Sequence, residues 1–160
     1  MLQRWFYDFE KSNWEILELK RKLSQPNICQ LFFEIKTAAM NEKDLKIRTR
    51  KFAIDILNLV DKIPNRRSGN IIANQLGRCA SSVAANYRAA CRARSQAEFI
   101  AKIGIVEEEA DESVFWIDML PETNNSTREV IEPHLNEARE LTAIFTSSSK
   151  TAKQNKANKR

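Results

Sequence analysis

Wound at about 100° per residue, the stretch from Ile72 to Arg92 sorts into two opposed faces. Ile72, Leu76, Cys79, Val83, Tyr87 and Ala90 fall on one arc. Asn74, Arg78, Ser81, Ala85, Arg88 and Arg92 fall on the other, which carries three arginines and no carboxylate. The first arc is a core stripe. Small residues at its margin, Ala80 and Ala84, let a neighbouring helix come close. Three glycines and four prolines in 160 residues leave little for turn-rich β structure. Long runs of Ala, Leu, Glu, Lys and Arg favour helix.

Three further helices are predicted around this one. The first runs from about Asp44 to Ile63, with Phe52, Ile56, Leu57, Val60 and Ile63 at helical spacing. Ile63-Pro64-Asn65-Arg66-Arg67-Ser68-Gly69 is a turn punctuated by Pro and Gly. The arginine helix follows, from about Ser68 to Ala90. The third helix opens at a capping box, Ser95-x-x-Glu98. Phe99, Ile103, Val106, Ala110, Val114 and Ile117 form its stripe, and Leu120-Pro121 is expected to end it. For the fourth helix, Ser126-x-x-Glu129 offers a second capping box and Thr127 a rival cap. Its apolar face is Ile131, Leu135, Ala138, Leu141, Ile144 and Phe145. Pro133 either sits in its first turn or marks a later start, because an interior proline removes a hydrogen bond.

The two ends of the chain read differently. Residues 1–39 hold seven of the thirteen aromatics. Leu2 to Leu23 fits an amphipathic helix that Pro26-Asn27 breaks. Met40 then reads like a natural start. A genuine extension that packs on the bundle or a partner, and residues added by an upstream start codon, both stay open. From Ser147 to Arg160 there are five positive residues and no negative one; fraying and then disorder are expected for 149–160. Residues 40–148 are the bundle.

A resemblance rests on Gln75-x-x-Arg78-Cys-Ala-Ser-Ser-Val-Ala-Ala-Asn-Tyr87 and Arg92-Ala-Arg-Ser-x-Ala-Glu-Phe-Ile-Ala-Lys-Ile-Gly-Ile105. It runs from about Asp44 to about Ala152, through the Trp116 region to Lys-Thr-Ala-Lys at 150–153. The chain resembles the bacterial four-helix bundles encoded in intervening sequences of 23S ribosomal RNA genes. Accessory variability proteins of diversity-generating retroelements are relatives of that family. The resemblance implies an antiparallel up-and-down four-helix bundle, assembly into rings, often homopentamers, and nucleic-acid binding. It implies no catalytic site and, through the retroelement relatives, a reverse transcriptase as a partner.

Charge is unevenly spread. From Asp61 to Lys102, eight Lys or Arg face two acids, a balance of +6; from Ile105 to Glu140, two arginines face eleven acids, a balance of −9. Arg66, Arg67, Arg78, Arg88, Arg92, Arg94 and Lys102 are the candidate nucleic-acid contacts. Arginine and lysine on phosphate give affinity without sequence choice. No aromatic alternates with them, so base stacking is not indicated. The competing reading is a solubilising face paired with acids such as Glu108 and Glu112 of a neighbour.

Ala101, Ile105, Trp116 and Met119 form a second apolar set on the third helix, away from its core stripe. One bundle needs one stripe per helix, so this set is the candidate oligomer interface, with Glu108, Glu109 and Glu112 beside it placed to meet the arginine arc of an adjacent subunit. The alternative is cover from residues 1–39 or from the loop after Pro121.

Chemistry finds little support. His134 has no partner motif and reads as a partly exposed helix residue. Glu107, Glu108, Glu109, Asp111 and Glu112 lack the converging ligands and the Glu-x-x-His element of carboxylate metal sites and read as a solvated face; no cofactor is indicated. No phosphate loop, nucleophile elbow or zinc spacing occurs. Ser81 and Ser82 lack a base, and Asn86-Tyr87 reads as packing and hydrogen bonding. Cys29, Cys79 and Cys91 are odd in number and widely spaced, as buried thiols in a reducing cytosol would be. No apolar run is long enough to span a membrane. The expectation is a cytoplasmic, non-catalytic protein that binds RNA or DNA or scaffolds a partner.

Overall fold

Polar connections of five or six residues force each helix back along the one before it. In the computed structural model, which describes residues 41–157, they join α1 (Glu42–Val60), α2 (Arg67–Ala90), α3 (Gln96–Glu122) and α4 (Arg128–Ala157). No strand occurs among the described residues. The chain divides into two units, Met1–Asn41 and Glu42–Arg160. The expectations for residues 1–39, and for Cys29, lie outside the described residues. The four helices form the expected all-α, up-and-down bundle.

The core is one stripe from each helix. Phe52 and Ile56 of α1 meet Ile72, Leu76 and Val83 of α2, Ile103, Val106 and Ile117 of α3, and Ile131, Leu135, Leu141 and Phe145 of α4, all but closed to water. Each such side chain contributes about 1.5–3 kcal/mol by leaving water. Every residue on the predicted core arc of α2 is buried, and every residue on its opposite arc is exposed. The expected apolar face of α4 is likewise buried throughout, whereas α1 and α3 are rotated slightly from the expected setting. Leu57 is exposed, while Leu45, Ala53 and Leu59 take the core positions of α1. On α3 Phe99 and Val114 are half-buried and Ser113 is fully buried, its hydroxyl donating to the Glu109 carbonyl at 2.8 Å.

The helix ends show where local chemistry won. The Ser95 hydroxyl accepts from the Glu98 amide at 3.1 Å. The Glu98 carboxylate reaches back one residue further than expected, accepting from the Arg94 amide at 2.9 Å. Thr127, not Ser126, immediately precedes α4, and its carbonyl accepts from the Ile131 amide. Pro121 does not stop α3. Asn124, at φ 55°, does: its amide donates to the Pro121 carbonyl at 3.0 Å and that of Asn125 to the Leu120 carbonyl at 2.9 Å, a Schellman motif. Nor does α4 start late at Pro133; the proline lies in its second turn and leaves the Glu129 carbonyl without its helical donor. And α4 continues through Ala157 with Ser149 buried, where fraying and disorder were expected from 149.

Gly69 locks one end of the bundle. A Cβ there would lie 2.4 Å from the Pro64 carbonyl oxygen and 3.0 Å from Asn125 Oδ1. Only glycine lets the α1–α2 turn close so tightly against α2. Asn125 ties the two connections at this end together, donating to the Ser68 hydroxyl at 3.3 Å.

Candidate nucleic-acid interface

The seven candidate basic residues do not form one patch. Arg66 and Arg67 stand at the start of α2, both exposed. Arg88 and Arg92 lie at its other end, about 35 Å away at 1.5 Å per residue. Arg94 follows in the α2–α3 turn and Lys102 in the second turn of α3. Arg88 and Arg92 are exposed and make no ion pair among the described residues. Arg94 is partly held by Glu98 at 3.4 Å.

Arg78, midway along α2, is engaged by its own chain. Its guanidinium donates to Glu109 at 3.2 Å and to Glu112 at 2.8 Å, both on α3. Glu112 also accepts from the Trp116 indole N–H at 3.0 Å. The Trp116 hydrogen bond, and then Arg78, hold the Glu112 carboxyl below its usual range. The Glu112 carboxylate in turn raises the Arg78 pKa. The acid pairing open to this face is therefore made within the chain, by Glu109 and Glu112. It leaves Arg78 less available to an outside phosphate than Arg88 or Arg92.

Cys79 Sγ and carboxylate oxygens of Glu109 and Glu112 lie within 4.8 Å of one another. That donor set could hold a metal ion, but the Arg78 cation already answers both carboxylates. Burial pushes the Cys79 thiol up to about 12, far from the thiolate a metal would need. Asn86 donates to the Ser82 carbonyl and hydroxyl at 3.1 and 3.0 Å, and the Tyr87 ring lies 5.4 Å from that of Phe145. Both residues serve packing and hydrogen bonding.

On α3 the candidate interface is partly open. Ala101 and Ile105 are exposed, while Trp116 and Met119 are half-buried. Sequence reasoning missed Phe115, 55% exposed, whose ring meets that of Trp116 edge-on at 4.9 Å. It lies on the wheel at the margin of the same set, four residues before Met119. The antiparallel register that joins Arg78 to Glu109 and Glu112 also puts Ile71 of α2, 53% exposed, level with Trp116. The carboxylates beside this face pair within the chain rather than remaining open for an adjacent subunit.

A groove of about 400 Å³ runs between α1 and α4, lined by Arg48, Lys51, Phe52, Asp55, Pro133, His134 and Glu137. Its charges answer one another. Arg48 donates twice to Glu137, at 2.7 Å each, and once to Glu140 at 2.6 Å; Lys51 pairs with Asp55. Burial holds His134 below the usual imidazole pKa. No described helix is long and apolar enough to cross a membrane.

The sequence model of the family described as 23S rRNA-intervening sequence protein matches residues 42–147. Among solved structures, one of a protein with unknown function from the S23 ribosomal protein family of Bacteroides thetaiotaomicron VPI-5482 is similar. It is 32% identical, with a TM-score of 0.64, over 69% of this chain and 99% of that one. No curated protein matches the chain.

Proposed function

The chain belongs to the 23S rRNA-intervening sequence protein family, and from that premise we propose a non-catalytic bundle that binds nucleic acid as a homo-oligomer. The observation that carries the reading is the outer face of α2 near its C-terminus. There Arg88 and Arg92 stand exposed, opposite the core stripe, with no carboxylate answering them among the described residues. Cationic side chains held on a rigid helix without partners suit phosphate oxygens. With no aromatic among them, the contact is to backbone and shape rather than to bases.

The test is affinity for mixed-sequence RNA and duplex DNA across a salt series. Binding falls steeply as salt rises. Replacing Arg78, Arg88 and Arg92 by glutamine weakens all sequences alike and lowers the salt slope by about one for each phosphate no longer neutralised. Tight binding that ignores the substitution overturns the proposal, as does failure of the unaltered protein to bind.

A second reading is favoured by Ile105, Phe115 and Ile71, all exposed, with Phe115 against Trp116. Such apolar area suits a protein surface. In this reading the face docks a partner enzyme, and the reverse transcriptase implied by the retroelement relatives is one of that kind.

A further inference from the structure

We propose that the last two turns of α4 are the main phosphate-binding edge of the molecule. In this arrangement Lys150, Lys153 and Lys156 act with Arg92 and Arg94 on the backbone of a nucleic-acid duplex. The inference rests on the nucleic-acid reading above and says where on the bundle binding occurs.

The argument starts from register. The inward stripe of α4 runs Leu141, Phe145, Ser149, all buried, then Ala152, half-buried. The next position at that spacing is Lys156. The position that faces core below is therefore a lysine above. What lies beneath it follows from two contacts. The Ala152 carbonyl accepts from Gln96 Nε2 at 3.3 Å, and Gln96 is the first residue of α3. Tyr87, which meets Phe145, lies one turn before the end of α2. Beyond Ala152, α4 runs about 7 Å past the start of α3 and further still past the end of α2, at 1.5 Å per residue. At that level the chain makes the α2–α3 turn, which carries Arg92 and Arg94.

All five cations are exposed. Among the described residues, Arg94 alone of the five has an ion-pair partner, Glu98. The start of α1 supplies Glu42 and Asp44 to the same end, matched in charge by Lys43 and Lys46, with Lys46 paired to Glu42. The end as a whole stays positive. Lys150 to Lys156 spans about 9 Å of helix, nearly three nucleotide steps at about 3.4 Å each. Among the described residues, no exposed aromatic stands with them to hold an unstacked base. A fixed row of phosphates, as a duplex presents, is the partner that such a rigid row of ammonium groups fits.

The experiment uses the full chain with Lys150→Gln, Lys153→Gln and Lys156→Gln together. Affinity for a short mixed-sequence RNA duplex and for its single strand is followed from about 50 to 200 mM salt. The variant binds the duplex at least tenfold more weakly at low salt. Its slope of log affinity against log salt is shallower by about 0.9 per lysine. A control of equal type elsewhere, Lys62→Gln with Arg139→Gln, leaves the slope in place. Lysines that serve only to offset the dipole of α4 would lower the melting temperature and not the slope, which overturns the inference. Tighter binding of the single strand than the duplex overturns it too. If the lysine variant binds like the unaltered protein while the Arg78, Arg88 and Arg92 variant does not, this inference falls and the nucleic-acid reading stands. If the unaltered protein binds neither strand form, both fall.

Discussion

His134 is the one histidine of the chain, so its titration can be read directly. It is half-buried in the groove between α1 and α4, and burial lowers its pKa. Asp55 pulls in the opposite direction; Lys62 and Lys51 add to the lowering. A depressed folded pKa means the unfolded chain takes up the proton more readily. The contribution to stability is thus complete above about pH 6.5 and is lost as pH falls through the lower folded value. Proton NMR of the imidazole should give a midpoint below about 6.5, and His134→Gln should lose less stability than the parent on acidification. A midpoint at or above the model-peptide value contradicts this. Residue by residue, the sequence was most legible on α2, where polarity alone divides the two arcs. It was less so for Arg78. A helical wheel fixes which way a side chain points but not the rotation of the helix it meets. Hence Glu109 and Glu112 were foreseen as acids for the arginine arc, but of an adjacent subunit rather than of the same chain.

Among the helices, the pairing of α1 with α4 depends on one side chain. Arg48, with its side chain only 16% exposed, binds Glu137 in bidentate fashion and Glu140 at once. Replacing it with alanine removes the cation shared by two neighbouring carboxylates on α4. A loss of about 1–3 kcal/mol is expected from chemical denaturation. Arg48→Lys should recover only part of this, because an ammonium cannot make the parallel pair. An alanine variant as stable as the parent would show that solvent already screens the pairing. At this scale the four helices and their order were plain from apolar spacing, but three ends were not. Prolines at 121 and 133 looked like boundaries because each removes a hydrogen bond. The packing of Leu120 and Ile131, both fully buried, holds the helix through each. The polar run after Ser147 looked unstructured because composition does not show that Ser149 sits on the inward stripe of α4.

The whole bundle presents one face its own core does not use. Ile105 of α3 is exposed, as is Phe115 against Trp116, and an apolar face of this kind is the one that the proposed contact between copies would bury. Introducing glutamate at both positions should leave the fold intact, since neither side chain is buried, and reduce the mass measured by light scattering to that of one chain. An assembly of unchanged mass, or an unaltered protein that is already a monomer, would rule this face out as the contact between copies. The sequence already pointed to this face through Ile105 and Trp116, but not to Phe115. In the structure the Trp116 indole is spent on Glu112, and Phe115 is the side chain left outside.

The four helices are also unequal in how they are held. α3 lies along both α2 and α4 for most of its length, whereas α1 lies along α2 and touches α4 much less. On the α4 side of that seam, Pro133 has already removed one backbone hydrogen bond from the wall α1 leans on. The bundle thus behaves as a three-helix unit with a fourth helix fastened along one edge, and cooperativity should break along the same line. Opening that releases α1 alone costs less than global unfolding. In native-state hydrogen exchange the amides of α1 should lose protection at lower denaturant than those of α2 and α3; a single shared transition would mean that the bundle opens all at once.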